Sequence, residues 1–509
     1  MRRALVYVLA VTALLSGCTA APRETEKEGP GDGSLWILAS SELSDMEPIV
    51  ERVGADIGVD VKLFYTGTLD AVDTLAKGEA DKWYQAVWLS SDDYLRLRPE
   101  AARRVVSETP VMSSPVAIGV KPATLRELGW KPDDVTWAKV AQAARDDRLT
   151  YGMTDPTVSN SGFSALVSVA SALSGAQSAL TDADVEKAAP RLKEFFQGQQ
   201  LTSGSSGWLA SAYKRRGNVD ALINYESVLK GIPGLTVIRP RDGVVTADYP
   251  LSTLASADAA RRDDVRRLAE ALRTPEIQRE ITERTHRRPV VPSVAPASGL
   301  GTDRRRELPF PGSRSVADGL LDSYDNELRR PSRTVYVLDT SGSMEGDRLA
   351  RLKKALTEVS ADFRGREEVT LMPFGSAVKE VRRYAMDPDP RTGAEDVRRD
   401  VRTLTAEGDT AIYTSLEKAY DELRTERDMF TSIVLMTDGE NTTGRSAREF
   451  EGFYGLLGPS QRQIPVFPIV FGDSDREELE HIAELTGGRL FDAQEGSLDG
   501  AFEEIRGYQ

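Results

Sequence analysis

The sequence contains one cysteine and two histidines among its 509 residues. A single cysteine excludes an intramolecular disulfide, and the two histidines, His286 and His481, lie far from the acidic and hydroxyl motifs described below. The patterns HExxH, GxSxG and GxxxxGK[ST], which carry metal hydrolysis, acyl transfer and phosphate binding, are also absent. Metal-dependent hydrolysis usually needs a nearby general base. These absences favour a non-enzymatic protein, although a metallohydrolase remains an alternative.

Basic residues are outnumbered, with 65 Lys and Arg against 80 Asp and Glu, for a formal net charge of -15. This charge disfavours nucleic acid as a partner and direct adhesion to anionic lipid, and is compatible with collecting cations. The contents of hydrophobic residues, 40%, and of charged residues, 28%, are those of a soluble globular chain. A chain of this length predicts two or three domains.

The beginning of the chain has the features of an export signal. Arg2 and Arg3 precede an apolar run at residues 4–15, which is too short for a membrane-spanning helix and is typical of a signal peptide. The run ends in "LSGC", which resembles the lipobox of bacterial lipoproteins. The resemblance implies that residues 1–17 are removed and that Cys18 carries acyl chains, which anchor the protein in a membrane on its extracellular or periplasmic side. The alternative is a plain secretory signal with an incidental cysteine.

The composition of the remaining chain predicts where its domains begin and end. Residues 18–33 are polar and rich in Gly and Pro, which predicts a flexible tether. A second segment dense in Pro, Gly and Ser begins near residue 289. We therefore predict a first domain at 34–300, a linker at 301–332 that includes a short helix, and a second domain at 333–509.

The second domain alternates short apolar runs with amphipathic segments. The runs "TVYVL", "EVTLMPFG", "SIVLMTDG" and "PVFPIVFG" predict strands, and apolar residues at helical spacing predict a helix over residues 347–363. Such alternation predicts an α/β fold with a doubly wound, mostly parallel sheet. Ligands of these sheets lie at the carboxyl ends of strands. "DTSGS" and "TDGEN" follow two of the predicted strands, so both segments are expected to supply oxygens to one crevice.

Oxygen ligands in this arrangement suit Mg²⁺ or Mn²⁺. The D-x-S-x-S pattern resembles the metal-ion-dependent adhesion site of von Willebrand factor type A domains. By that resemblance Ser341 and Ser343 bind the metal directly, Asp339 and Asp438 bind largely through water, and Thr410 of "EGDTAIYTSL" binds directly or through water. The resemblance also implies that an acidic group of a partner protein completes the site. Asp409 departs from the family, which often has glycine before the threonine.

Each of these signals has a simpler interpretation when it is taken alone. D-x-S-x-S is also typical of a turn with N-capping residues, and Asp438-Gly439 is an ordinary end of a strand. The order of the motifs within the alternating pattern favours the cation site.

The first domain places hydroxyls after successive predicted strands. Ser40 and Ser41 follow "SLWILA", Thr66 and Thr68 follow "VDVKLFY", and Ser161 and Gly162 begin a long predicted helix. Hydroxyls and free backbone N–H groups at helix N-termini bind anions or polar oxygens. Any one of these residues alone is more typical of a helix N-cap, but their recurrence at successive strand–helix junctions, including Ser90 and Ser91 after "YQAVWL", favours a shared site.

The order of these elements resembles the type II extracellular solute-binding proteins of ABC importers. The resemblance implies two α/β lobes that close on a ligand, as in periplasmic binding proteins. One lobe would contribute Ser40, Ser41, Thr66 and Thr68, and the hinge or the other lobe would contribute Ser161, Gly162 and Tyr225. No Lys or Arg lies in these turns, so recognition of an anion would depend on helix dipoles and neutral donors. The expected ligand is a small solute that is polar or anionic.

The sequence thus predicts a lipid-anchored binding protein in which one domain captures a solute and the other docks on a partner through a cation. Two rivals remain open. In the first, the chain is the solute receptor of an importer, and the second domain tethers it to the permease. In the second, the chain is an assembly scaffold whose first domain no longer binds solute.

Overall fold

The computed structural model describes residues 33–387, 389–423, 429–470 and 476–492, together with 502 and 505. The predicted signal peptide, nearly all of the tether and Cys18 lie outside the described residues. Within the described ranges, no helix is both long enough and apolar enough to cross a membrane.

The first domain contains two sheets. The first has the strand order β2-β1-β3-β11-β4, where β1 is parallel to β2 and β3 while β11 is antiparallel to β3 and β4. All six residues of β1, "LWILAS", are buried, as expected for a central strand covered on both faces. The strands are β1 (Leu35–Ser40), β2 (Val61–Thr66), β3 (Ala86–Trp88), β4 (Val105–Pro110) and β11 (Pro250–Leu254).

The second sheet has the order β10-β5-β8-β6-β7, and β9 and β12 also pair with β5. The chain enters this sheet directly from β4, crosses to the first sheet at β11 and returns through β12, so the two sheets are the centres of two lobes. Its strands are β5 (Met112–Val120), β6 (Tyr151–Thr154), β7 (Gln199–Ser203), β8 (Ala221–Tyr225), β9 (Thr236–Ile238), β10 (Thr246–Ala247) and β12 (Arg288–Pro289).

Helices surround both sheets. Helix α7 contains fifteen residues of which all but one are buried, since it lies inside the domain between other elements. The helices are α1 (Glu47–Ile57), α2 (Thr68–Lys77), α3 (Asp93–Arg96), α4 (Pro99–Ala102), α5 (Pro122–Leu128), α6 (Trp137–Arg145), α7 (Asn160–Ser174), α8 (Asp182–Phe196), α9 (Ser206–Arg216), α10 (Glu226–Lys230), α11 (Ala259–Leu272) and α12 (Pro275–Thr285).

The segment predicted as a linker, residues 301–332, contains helix α13 (Arg314–Ser323) and a π-helical turn (Tyr324–Leu328). The apolar residues of both elements, including Leu320 and Tyr324, belong to the hydrophobic core of the first domain. These two elements therefore lie on the first domain, and β13 (Ser332–Asp339) follows the π-helical turn after three residues.

The second domain confirms the predicted fold class. Its sheet has the order β15-β14-β13-β16-β17-β18, all pairs are parallel except that of the edge strand β15, and a hydrophobic core lies on each face. The strands are β13 (Ser332–Asp339), β14 (Glu367–Phe374), β15 (Arg382–Ala385), β16 (Phe430–Thr437), β17 (Val466–Val470) and β18 (Phe491–Asp492).

Helix α14 begins at the predicted residue and ends at Val359, where a short 3-10 turn follows instead of the predicted last turn. The sequence analysis did not identify α15. The helices of this domain are α14 (Asp347–Val359), α15 (Pro390–Arg402), α16 (Ile412–Glu422), α17 (Ala447–Leu456) and α18 (Arg476–Thr486).

Candidate functional sites

The five residues predicted at the cation site come together at the carboxyl ends of neighbouring parallel strands. Asp339 is the last residue of β13, and Ser341 and Ser343 lie in the turn between β13 and α14. Asp438 follows the last residue of β16, which is paired in parallel with β13. Strand pairing thus brings together side chains that are about a hundred positions apart in the sequence.

The polar atoms of this group are within hydrogen-bond distance of one another. The Oγ atoms of Ser341 and Ser343 are 3.0 Å apart, and the Ser343 hydroxyl donates to Asp438 Oδ1 at 3.0 Å. Asp339 accepts from the backbone N–H of Ser341 at 2.8 Å and from the Thr437 hydroxyl at 2.6 Å. Asp339 therefore holds the loop, while the Ser343 hydroxyl links Ser341 to Asp438.

Thr410 reaches the same place from the loop before α16. A Cβ atom built on Gly439 would lie 3.9 Å from Thr410 Oγ1 and 3.9 Å from Ser343 Oγ. The backbone N–H of Thr410 donates to Thr442 Oγ1 at 2.9 Å, which fixes this loop against the segment after β16. The neighbouring Asp409 is exposed, and its carboxylate accepts from the Ser376 hydroxyl at 3.4 Å.

The two carboxylates of the group have different surroundings. Asp339 is fully buried, and burial raises its pKa, against the lowering effect of its hydrogen bonds with Ser341 and Thr437. Asp438 forms an ion pair with Arg348 at 2.5 Å. Sequence reasoning missed Arg348, although its position in the first turn of the helix that follows the motif was a usable signal.

Among the described residues, no three His, Cys, Asp or Glu side chains form a group that could hold a metal. The strand-end group itself contains two carboxylates, and its other oxygens are hydroxyls. Its donors are therefore those of a hard cation that keeps water ligands, and differ from those of a zinc site.

In the first domain, the hydroxyls predicted on one lobe form a buried network. Ser40 Oγ is 2.6 Å from Thr68 Oγ1, Thr68 Oγ1 is 3.0 Å from Ser90 Oγ, and the Ser90 N–H donates to Ser40 Oγ at 3.0 Å. Thr66 is the residue of β2 that pairs in register with Ser40. Three successive junctions after β1, β2 and β3 thus meet, as the recurrence in the sequence predicted.

A second network lies on the other lobe, at the start of α7. Ser161 Oγ is 2.8 Å from Thr154 Oγ1 and 2.9 Å from Ser206 Oγ. The Tyr225 hydroxyl accepts from the Asn160 amide at 2.8 Å. Gly162 packs on the preceding backbone so closely that an added Cβ would lie 2.4 Å from the Thr154 carbonyl oxygen.

A cavity of about 560 Å³ lies between the lobes. Of the seven predicted solute-binding residues, Ser41 lines this cavity, Thr66 is half-buried at the end of β2, and the other five are buried and do not line it. The lining residues with polar or charged groups include Ser41, Glu42, Asp45, Ser205, Ser206, Ser211, Ser227 and Arg287. The predicted residues therefore support the cavity more than they line it.

Glu42 connects the two networks, and sequence reasoning missed it. Its carboxylate accepts from the Ser90 hydroxyl of one lobe and is hydrogen-bonded to Ser206 of the other. Burial raises the pKa of Glu42 to about 7, although the positive charge of Arg287 and the hydrogen bond with Ser206 act in the opposite direction. A carboxylate that titrates near neutral pH thus lies in the wall of the cleft.

Arg287 is the buried cation of the cleft. Its side chain is 1% exposed and donates to both carboxylate oxygens of Asp45, at 2.8 and 2.7 Å, and to the Glu42 carbonyl at 2.7 Å. The guanidinium also lies 4.9 Å from the ring centre of Tyr249. Asp45 therefore already neutralises this cation.

The two folds and their polar sites define a two-domain binding protein. The family model of bacterial extracellular solute-binding proteins matches residues 38–284, and that of the von Willebrand factor type A domain matches residues 334–440. The chain thus combines an extracellular solute-binding domain with a von Willebrand factor type A domain, which confirms both resemblances.

The curated relatives match about a third of the chain. An uncharacterized protein of Synechocystis is 30% identical over 168 residues, which are 33% of this chain and 38% of that protein. The human inter-alpha-trypsin inhibitor heavy chain H3 is 24% identical over 190 residues, covering 34% of this chain and 21% of its own length. The chain therefore spans well under half the length of these relatives.

Solved structures of periplasmic binding proteins align over somewhat more than half of the chain. The protein AfuA of Actinobacillus pleuropneumoniae aligns with a TM-score of 0.47 and 14% identity, over 58% of this chain and 99% of that chain. A ferric binding protein from Campylobacter jejuni aligns with a TM-score of 0.45 and 12% identity, over 57% and 99%.

Proposed function

We propose that this chain is a non-enzymatic binding protein, anchored through Cys18 to a membrane and exposed in the cell envelope. Its second domain binds a partner protein through Mg²⁺ or Mn²⁺, and its first domain binds a small polar solute. The observation that supports the docking function is the position of Ser341 and Ser343, whose hydroxyls lie 3.0 Å apart with Asp438 beside them.

The residues of the strand-end group fit a hard cation. Ser341, Ser343 and Thr410 would hold it with Asp339 and Asp438, since hydroxyl, carboxylate and water oxygens are the ligands that Mg²⁺ prefers. The bound ion would supply a positive charge for an acidic group of the partner. Arg348 provides the positive charge beside Asp438 in this structure, and it can turn away because its side chain is 42% exposed.

Docking is tested by a pull-down from detergent-solubilised envelope with the mature chain, in Mg²⁺ and in EDTA. A variant with both Ser341→Ala and Ser343→Ala, shown to be folded by circular dichroism, serves as the control. We expect a protein that is retained only by the unaltered chain in Mg²⁺. Identical proteins in all three samples would contradict metal-dependent docking.

The cleft favours solutes with hydrogen-bond donors over anions. An anion would approach the carboxylate of Glu42, whereas Arg287 is already paired with Asp45 and gives little net attraction. Serine hydroxyls on both lobes can donate or accept. We therefore propose an uncharged or cationic polar solute, and an anionic one only when Glu42 is protonated.

Glu42 predicts a specific dependence of stability on pH. Its pKa is about 7 in the folded protein, against an ordinary value of 4.5, so the folded state binds this proton more tightly than the unfolded chain. The contribution of Glu42 to stability is therefore largest below about pH 4.5 and is lost as the pH rises through about 7. We expect Glu42→Gln to be more stable than the unaltered chain at about pH 8, and to lose this advantage at about pH 5.

Urea titrations at both pH values measure this difference. Glu51→Gln is the matched control, because Glu51 is exposed on α1, and we expect it to follow the unaltered chain at both pH values. A Glu42→Gln variant with the same pH dependence as the unaltered chain would contradict the assignment.

A further inference from the structure

We propose that Arg364 couples the cation site of the second domain to the solute cleft of the first, so that binding at one site changes the other. This inference rests on the proposed function of both sites. Arg364 follows α14 by five residues and lies where the second domain meets the first domain and the segment that precedes β13.

Arg364 contacts both of these parts. Its guanidinium lies 2.8 Å from Asp325 Oδ1, in the π-helical turn, and 3.5 Å from Asp155 Oδ2 of the first domain. It also donates to Thr157 Oγ1 at 3.3 Å. The Asp155 side chain is only 4% exposed, so water competes weakly for these charges, and removing one partner would leave a buried charge unpaired.

The contact with Asp155 connects Arg364 to the residues that precede the Ser161 network of the first domain. Asp155 Oδ1 accepts from the Thr157 N–H at 2.8 Å and from the Thr157 hydroxyl at 2.6 Å, and the Asp155 carbonyl accepts from the Ser159 N–H at 2.9 Å. This turn, residues 155–157, therefore immediately precedes the network around Ser161 at the start of α7.

Val158, the residue after this turn, is in contact with the opposite lobe. A Cβ atom built on Gly67 would lie 2.8 Å from the carbonyl oxygen of Val158. Gly67 is the residue before α2 in the first lobe. Opening or closing of the lobes must therefore change the surroundings of the turn that Arg364 contacts.

The other end of α14 lies at the cation site. Arg348, in the first turn of α14, pairs with Asp438, and the rest of this thirteen-residue helix separates Arg348 from the 3-10 turn before Arg364. At 1.5 Å per residue the helix is about 20 Å long, and it moves as one rigid element. A cation that displaces Arg348 from Asp438 would release the first turn of α14. The other end of the helix, and with it Arg364, would then shift relative to Asp155.

Coupling of this kind is reciprocal. If the cation changes the equilibrium between two positions of the 155–157 turn, solute binding must change cation affinity by the same factor. Mg²⁺ alone is therefore sufficient to test the link, without knowledge of the solute.

The test is hydrogen–deuterium exchange of the mature chain with and without saturating Mg²⁺. We expect slower exchange in peptides covering residues 339–350 and, through Arg364, a change of about fivefold in peptides covering 155–165, the low end of typical couplings. Arg364→Ala should keep the first response and lose the second. Arg383→Ala, which removes an exposed ion pair within the second domain, should keep both.

The outcomes separate the coupling from the function on which it rests. No response at residues 339–350 in the unaltered chain would contradict the cation site itself. A response there without one at 155–165, or a response at 155–165 that persists in Arg364→Ala, would overturn the coupling. If Arg364→Ala does not fold, Asp155→Asn removes the same charge pair with little change of shape, and is expected to lose the response at 155–165.

Discussion

The chain that carries both Ser341→Ala and Ser343→Ala is expected to bind Mg²⁺ at least about 100-fold more weakly than the unaltered chain. Each substitution removes a hydroxyl that would contact the ion, and a hydrogen bond or ligand to a charged group contributes about 1.5–3 kcal/mol. A change of about 1.4 kcal/mol corresponds to a factor of ten in affinity. Isothermal titration of the mature chain with Mg²⁺ measures the difference.

Thr357→Ala is the matched control for this loss. The Thr357 hydroxyl donates to the Lys353 carbonyl within α14, and it is separated from the site by most of that helix. The control removes one hydroxyl without removing a predicted ligand, so its Mg²⁺ affinity should equal that of the unaltered chain. Equal affinity in the double variant would show that the two serines are not ligands.

Gly162→Ala is expected to lower the free energy of unfolding by about 2–3 kcal/mol, in the range of substitutions that force extra atoms into a packed interior. The added Cβ would lie 2.4 Å from the Thr154 carbonyl oxygen and 2.9 Å from two further backbone atoms, of Asp155 and Pro156. Backbone atoms cannot turn away as a side chain can. The strain therefore exceeds the gain of about 1 kcal/mol from replacing glycine in a helix.

Gly319→Ala provides the comparison for this substitution. Gly319 is exposed within α13, and nothing lies within 4 Å of the position its Cβ would take. We expect this variant to be more stable than the unaltered chain by about 0.5–1 kcal/mol. Urea titration measures both variants, and a Gly162→Ala variant as stable as the unaltered chain would contradict the close packing at the start of α7.

The second domain was predictable because its signals are local. Apolar runs gave the central strands, and parallel pairing of β13 with β16 then placed "DTSGS" beside "TDGEN". Helix α15 was missed although Ala394, Val397 and Val401 follow helical spacing and are buried. Helix α15 has a low mean hydropathy and follows the short antiparallel strand β15. The helical spacing of its apolar residues was therefore less evident than in the other helices.

The cleft of the first domain was only partly predictable. The junctions after β1, β2 and β3 meet as expected, yet Glu42 and Arg287 were not identified. Arg287 reaches Asp45 from 242 positions further along the sequence, and tertiary packing alone creates that pairing. Glu42 looks like an ordinary acidic residue at the start of a helical turn, and only the burial of its side chain makes it unusual.

The separation between the domains was also less complete than composition suggested. Proline, glycine and serine predict a connection of irregular structure, but Val316, Leu320 and Tyr324 carry an apolar face that the first domain buries. Asp325 of this segment then faces Arg364. The physical consequence is a contact through which one domain can influence the other.

The central claim is that the oxygens at the ends of β13 and β16 hold a divalent cation. Crystals of the mature chain grown with Mn²⁺, with diffraction collected where manganese scatters anomalously, test this claim most directly. The account predicts an anomalous peak among Ser341, Ser343 and Asp438, with Arg348 turned away from Asp438. Arg348 still paired with Asp438, and no anomalous peak among these residues, would contradict it.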